Sequence, residues 1–278
     1  DRLYHLAANH THWDRQPERI ATATVDGTRA VLGAAAKRRL AKIVVTSSWV
    51  TRGIHTEPVD ETSEFNLRDT APHIAAKLAA ERAALKAADA GLPVVVVLPS
   101  FVVGPGDWKP TPSGALILEY LKTSPTFHFP VTTGGLSVAD VDDIAAGHVA
   151  AMERGTVGER YLLGGENLNY ESLFDTLSEV TGLPPPGRRL TPSALELRAV
   201  LMELRARWLG TVPLFTRSLA RDLGHAQLYV NSAKAESELG YAHRPARTAL
   251  ARAARWYLDK GYVPERAARR IRLEPQLA

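Results

Sequence analysis

A chain of 278 residues, 45% hydrophobic and 23% charged, has the size and balance of one large α/β domain or two smaller ones. With no cysteine, it can hold no disulfide framework, thiolate nucleophile or cysteine-ligated metal, and a reducing cytoplasm is the expected location. No apolar run approaches bilayer-spanning length. Much of the basic excess behind the net charge of +4 lies in an Ala/Arg-rich stretch over 244–272, which reads as a solvated helix face rather than a nucleic-acid site.

Residues 3–8 read as a short strand and 9–15 as a loop. His10 and His12 in that loop lack a third ligand at helical spacing, so no metal site is expected. A helix over 17–37 carries Val25-Asp26-Gly27-Thr28; glycine inside a helix costs about 1 kcal/mol against alanine, which implies close packing on a sheet. The β-branched run at 43–48 ends in Thr46-Ser47-Ser48, the pattern of a buried parallel strand opening into a site.

After a loop over 49–68, residues 69–89 form the helix around which the chain is organised. Pro72 suits its first turn, and Asp69 or Thr70 is the expected cap. Ile74, Leu78 and Leu85 make its apolar stripe, with Lys77 and Glu81 as a surface i,i+4 pair. His73 and Lys77, also four apart, project from one face; a proton-transfer group beside a cation is an acid/base arrangement. A strand at 94–98 then runs into Pro99-Ser100.

Strands and helices alternating at this spacing predict a parallel sheet with helices on both faces, and such sheets bind ligands beyond the carboxyl ends of their strands. Ala7-Ala8, Ser47-Ser48 and Pro99-Ser100 all fall at that edge. Further on, a helix at 114–121, strands at 136–141 and 160–164, and a helix at 141–152 are expected. A helix at 169–181 is capped by Asn169 and ended by Gly182, and a proline-rich turn spans 183–189. Helices follow at 191–208, 216–224, 232–239 and 248–260. The expected division is an incomplete Rossmann-like α/β domain over 1–165 and a smaller, mostly helical substrate domain over 166–278. Trp108, Phe127, His128, Phe129 and Trp208 are the candidate pocket lining.

Taken in register, these stretches resemble the extended short-chain dehydrogenase/reductase superfamily, the NAD-dependent epimerase/dehydratases, within it the branch of dihydroflavonol reductases and hopanoid-associated sugar epimerases. The resemblance rests on Tyr4-His5-Leu6-Ala7-Ala8, Val25-Asp26-Gly27-Thr28, Val45-Thr46-Ser47-Ser48, His73 through Lys77 to Glu81, Pro99 through Asp107, Val141-Asp142-Asp143-Ile144-Ala145 and Glu238-Leu239-Gly240-Tyr241. It implies that Ser48 binds the reacting oxygen, that Lys77 holds the nicotinamide ribose, and that Ala7, Ala8, Ser47, Pro99 and Ser100 pass along an NAD(P) cofactor. It also implies a small-molecule substrate, no nucleic-acid or membrane partner, and a homodimer through the helices at 17–37 and 69–89.

Three departures stand against the family pattern. His73 occupies the place of the catalytic tyrosine, an imidazole near about 6.5 instead of a phenol near about 10. Thr24 stands where the family has asparagine. No G-x-x-G-x-x-G turn occurs in the 278 residues. Either the chain is part of a longer protein or the dinucleotide half has been shed. The expected function is an NAD(P)-dependent oxidoreductase or epimerase acting on a hydroxyl or carbonyl, with His73 as acid/base; the alternative is a cofactor-free relative that catalyses dehydration or cyclisation, or only binds a ligand.

Overall fold

In the computed structural model the described residues are 1–9, 18–68, 70–124, 134–186, 191–210, 213, 216–217, 220 and 226–273. The chain forms two compact units. The first comprises Asp1–Ser100, Asp143–Gly164 and Val230–Ala242; the second comprises Phe101–Asp142, Gly165–Tyr229 and His243–Ala278.

The first unit is built on four parallel strands in the order β1 (Arg2–His5), β2 (Lys42–Thr46), β3 (Val94–Pro99) and β6 (Arg160–Leu163). All six residues of β3 are buried, as are Ile43, Val44 and Val45 of β2. Covered on both faces, these strands have no reason to alternate polar with apolar residues, hence their unbroken valine runs. The register sets Leu3 beside Ile43, Ile43 beside Val94, and Val96 beside Arg160.

The helix expected over 17–37 is present in three pieces: α1 (Glu18–Ala21), a π-helical turn (Thr22–Asp26) and α2 (Gly27–Ala35). Gly27 is not the close-packing point expected of it. A Cβ there meets nothing within 4 Å, because Thr24, Val25 and Thr28 take the inward positions. The central helix is α3 (Pro72–Asp89), along which α1, the π turn and α2 pack.

Its start differs from expectation. Ala71 is the N-cap, extended at φ −56°, ψ 141°, and no side chain caps it. Pro72 accounts for this, since it biases the preceding residue to extended backbone and removes one amide that a cap would serve. The buried face is Ile74, Ala76, Ala80, Glu81 and Ala84, with Leu78 and Leu85 only half-buried. Glu81 is therefore interior, and the expected surface pair with Lys77 does not form.

The second unit holds a mixed sheet of β4 (Phe101–Val103), β5 (Gly135–Asp140) and β7 (Glu166–Asn169), with the two-residue β8 (Gln227–Leu228) also on β5. Its helices include α4 (Pro112–Thr123), α6 (Tyr170–Thr181), α7 (Pro192–Leu209) and a later one, Ala246–Asp259. Asn169 and Gly182 bound α6 as the sequence predicts: the Asn169 side chain accepts from Ser172 N, and Gly182 is left-handed at φ +67°. α5 (Val141–Arg154) belongs mostly to the first unit. The chain passes between units near residues 100, 142, 164, 229 and 242, so the division is not the single cut at 165 that the sequence suggests.

Candidate active site

α3 packs against β3 and against the 3-10 turn Trp49–Arg52, which follows β2 directly. This brings Lys77 over the end of β2, where its Nζ donates to the Thr46 carbonyl at 3.4 Å. Ser48 stands two residues on, in extended backbone at φ −161°, ψ 149°. Thr51 fixes Ser48 by its carbonyl, donating from N at 3.1 Å, and the Ser48 hydroxyl makes no cap bond of its own. His73 sits half-buried one turn before Lys77 on α3. Burial lowers the Lys77 ammonium to about 8.

One turn beyond Lys77, the Glu81 carboxylate is 1% exposed and receives four groups. Ser47 Oγ donates at 2.6 Å, Thr51 Oγ1 at 2.5 Å, an Arg52 nitrogen at 2.5 Å and Arg160 Nε at 2.9 Å. A buried carboxylate survives only when its charge and lone pairs are answered in this way. The cluster ties α3 to the loop that presents Ser48 and to β6.

A second chain of polar contacts fixes the end of β1. His5 Nε2 lies 2.9 Å from Thr28 Oγ1, and that hydroxyl donates to the Thr24 carbonyl at 2.7 Å. With its proton used there, Thr28 accepts from His5, which makes His5 the Nε2–H tautomer. Burial first, and then the nearby Lys77 ammonium, pushes His5 below its usual value, so the ring is held neutral. Thr24 Oγ1 accepts from Asn9 N at 3.1 Å and pins the segment that follows Ala7-Ala8. On β2, Thr46 Oγ1 meets His148 Nε2 at 2.9 Å while His148 Nδ1 donates to the Ile144 carbonyl at 2.8 Å.

Of the residues proposed from sequence, Ala7-Ala8, Ser47-Ser48 and Pro99-Ser100 lie at the carboxyl ends of three adjacent strands, and Lys77 reaches the middle one. Ser47 faces inward to Glu81 rather than outward. Ser100 N donates to the Leu163 carbonyl, whereas its buried hydroxyl has no partner among the described residues. In the second unit, Trp108 is 65% exposed, edge-on to Trp256 at 5.2 Å, with its carbonyl held by Tyr262 Oη. Trp208 is 89% exposed near the end of α7, so its ring is not walled in as a pocket residue would be. Phe127, His128 and Phe129, like His10 and His12, lie outside the described residues.

The sequence alone points to neither Thr51 nor His148, and it puts Glu81 at the surface. For Glu81 the available signal was its company: it shares a helix face with Ala76, Ala80 and Ala84, alanines small enough to lie against a sheet.

Four parallel strands with helices packed along them define a Rossmann-like α/β fold. The chain belongs to the NAD dependent epimerase/dehydratase family, whose pattern matches residues 1–164. It is 35% identical over 269 residues to a Synechocystis sp. protein provisionally named dihydroflavonol 4-reductase, covering 94% of this chain and 77% of that one. The solved structure of gox2253 is 36% identical, with a TM-score of 0.78 over 94% of this chain and 79% of that one. UDP-glucuronic acid 4-epimerase from Bacillus cereus, solved with UDP-glucuronic acid and NAD, shares the fold at 21% identity and a TM-score of 0.72, covering 94% of this chain and 76% of that one.

Proposed function

We propose that this protein is an NAD(P)-dependent oxidoreductase or epimerase that acts on a hydroxyl or carbonyl group of a small metabolite, with Ser48, His73 and Lys77 as its catalytic residues. The observation that carries this reading is the placement of Lys77: an ammonium lowered to about 8, resting on one backbone carbonyl at the carboxyl edge of a parallel sheet. A lysine so placed has donors to spare for a polyhydroxylated ligand.

The residues present fit the nicotinamide-ribose end of a dinucleotide. Among the described residues, Ser100 Oγ is buried without a partner beside Pro99, an orphan that a bound polar group would satisfy. Lys77 would hold the ribose hydroxyls, with the backbone at Ala7-Ala8 and Pro99-Ser100 flanking the ligand. The 278 residues include no glycine-rich turn for the pyrophosphate, so the fit concerns this end alone. When bound, such a cofactor supplies hydride acceptance and donation.

The chain's own groups do the rest. The Ser48 hydroxyl donates to the substrate oxygen and fixes its position. His73 takes the proton of a substrate hydroxyl in the oxidising direction and returns it in the reducing one. The Lys77 ammonium favours the electron-rich state of the oxygen as that proton leaves. The relatives' names, a dihydroflavonol reductase and a nucleotide-sugar epimerase, support a hydroxylated ring as substrate. Turnover of such alcohols and ketones with NAD(P), compared between wild type and Ser48→Ala, tests the assignment: loss of roughly 10²-fold or more in kcat is expected, and unchanged kcat would overturn it.

A further inference from the structure

His73, Lys77 and Glu81 follow one another at four-residue spacing along α3. The first two have roles in the proposed chemistry, whereas Glu81 is 1% exposed, too deep to touch a substrate. Its two carboxylate oxygens are used differently. Oε1 receives the guanidiniums of Arg52 at 2.5 Å and Arg160 at 2.9 Å, which answer its charge. Oε2 receives hydroxyls, Ser47 Oγ at 2.6 Å and Thr51 Oγ1 at 2.5 Å. Those two residues bracket Ser48.

Ser47 N donates to the Val97 carbonyl at 2.8 Å, a ladder bond just past the end of β2. Beyond it the chain leaves the sheet for the 3-10 turn Trp49–Arg52, whose Trp49, Thr51 and Arg52 are buried. Ser48, half-buried, stands at the junction, and Thr51 N closes the turn on its carbonyl at 3.1 Å. Through Ser47 on one side and Thr51 on the other, a single oxygen carried by α3 fixes where this junction sits. Apolar side chains would pack a helix on a turn as stably; charged hydrogen bonds also set distance and direction.

We propose that Glu81 is a positioning residue of the reaction: by holding Ser47 and Thr51 to α3, it sets Ser48 against His73 and Lys77 on the same helix. This role rests on the catalytic reading of those three residues. Burial is what lowers the Lys77 ammonium, and the charge of Glu81 is answered by its guanidiniums. The carboxylate therefore acts by placing the serine rather than by tuning the lysine. Misplacing a reacting group by about 1 Å can cost about 10²-fold in rate, so the two hydroxyl bonds beside Ser48 bear on kcat.

The test is steady-state turnover of alcohols and ketones with NAD(P) by the full chain. Glu81→Gln keeps the shape of the side chain and removes its charge. Thr51→Val removes one hydroxyl, leaves the carboxylate and both guanidiniums in place, and carries the test where Glu81→Gln fails to fold. Each is expected to lower kcat about tenfold or more with KM within about twofold of wild type. Thr51→Ser, which keeps the hydroxyl, should restore most of the lost rate. In a Ser48→Ala background, Thr51→Val should lower kcat no further, because its effect runs through that serine. Thr51→Val as fast as wild type, or equally damaging with and without Ser48, would overturn the positioning role while Ser48→Ala still slows turnover. Ser48→Ala as fast as wild type would instead overturn the catalytic reading, and this role with it.

Discussion

Ser47 donates its hydroxyl to Glu81 at 2.6 Å, so that of two adjacent serines one is spent inside the protein and the other is left for the site. The pairing joins the end of β2 to α3 one turn beyond Lys77. Glu81→Ala would strand the buried Arg52 guanidinium and two hydroxyls, and take a partner from the half-buried Arg160, and is expected to cost about 3–5 kcal/mol. Ser47→Ala removes one bond to a charged group and should cost about 1–3 kcal/mol. Urea midpoints at constant slope measure both; a Glu81→Ala midpoint equal to wild type would show that the cluster holds nothing together.

Lys77 supplies a pH signature. Its pKa is about 8 in the folded chain against an ordinary 10.5, so between these values the unfolded chain binds the extra proton. Stability from this group therefore rises with pH across that window, and below pH 8 the buried ammonium is a standing cost. Lys77→Met is expected to stabilise the protein at pH 7 by about 1–2 kcal/mol, after allowance for partial exposure, and the advantage should fade as pH approaches 10. Thermal melts of the two proteins at pH 7 and pH 9.5 check the sign; a Lys77→Met protein less stable at pH 7 would refute the desolvation argument.

His73 occupies the acid/base position in the proposed mechanism. Proton transfer is worth roughly 10²–10⁴-fold, and a phenol beside an ammonium suits alcohol–ketone exchange better than an imidazole. His73→Tyr should raise kcat and move the pH optimum upward, while His73→Phe should abolish turnover. A pH–rate profile of wild type and the two variants distinguishes these outcomes, and a His73→Phe protein as fast as wild type would remove His73 from the mechanism.

Gly114 marks a close approach in the second unit. A Cβ there would meet Asp107 Oδ2 and Tyr257 Oη at 1.9 Å, the same two atoms that bond each other at 2.6 Å. Gly114→Ala must break that bond or displace α4, for an expected loss of about 1–3 kcal/mol. Denaturant melts check this, and a neutral substitution would mean the cluster is loosely held.

Much of this was legible in the sequence, for identifiable reasons. The valine runs of β2 and β3 announce strands buried on both faces, and the hydroxyl and proline ends mark the edge where a site can open. The Asn169 and Gly182 caps are local chemistry and were placed correctly. What escaped depends on which distant segments meet. Glu81 looks like a surface partner of Lys77 until Arg52 and Arg160 are brought to it from a loop and another strand. The three-residue β4 and four-residue β7 are too short to show a period, and strand pairing alone reveals that residues 101–103 join a different sheet from residues 94–99.

The central claim is that Lys77 holds a nicotinamide dinucleotide at the edge of this sheet. NADPH titration followed by its fluorescence, on wild type and on Lys77→Met, tests it most directly. Saturable binding by wild type, weakened about tenfold or more by Lys77→Met, is the expected result. A wild-type protein that does not bind NADPH or NADH, or a Lys77→Met protein that binds equally well, would contradict it.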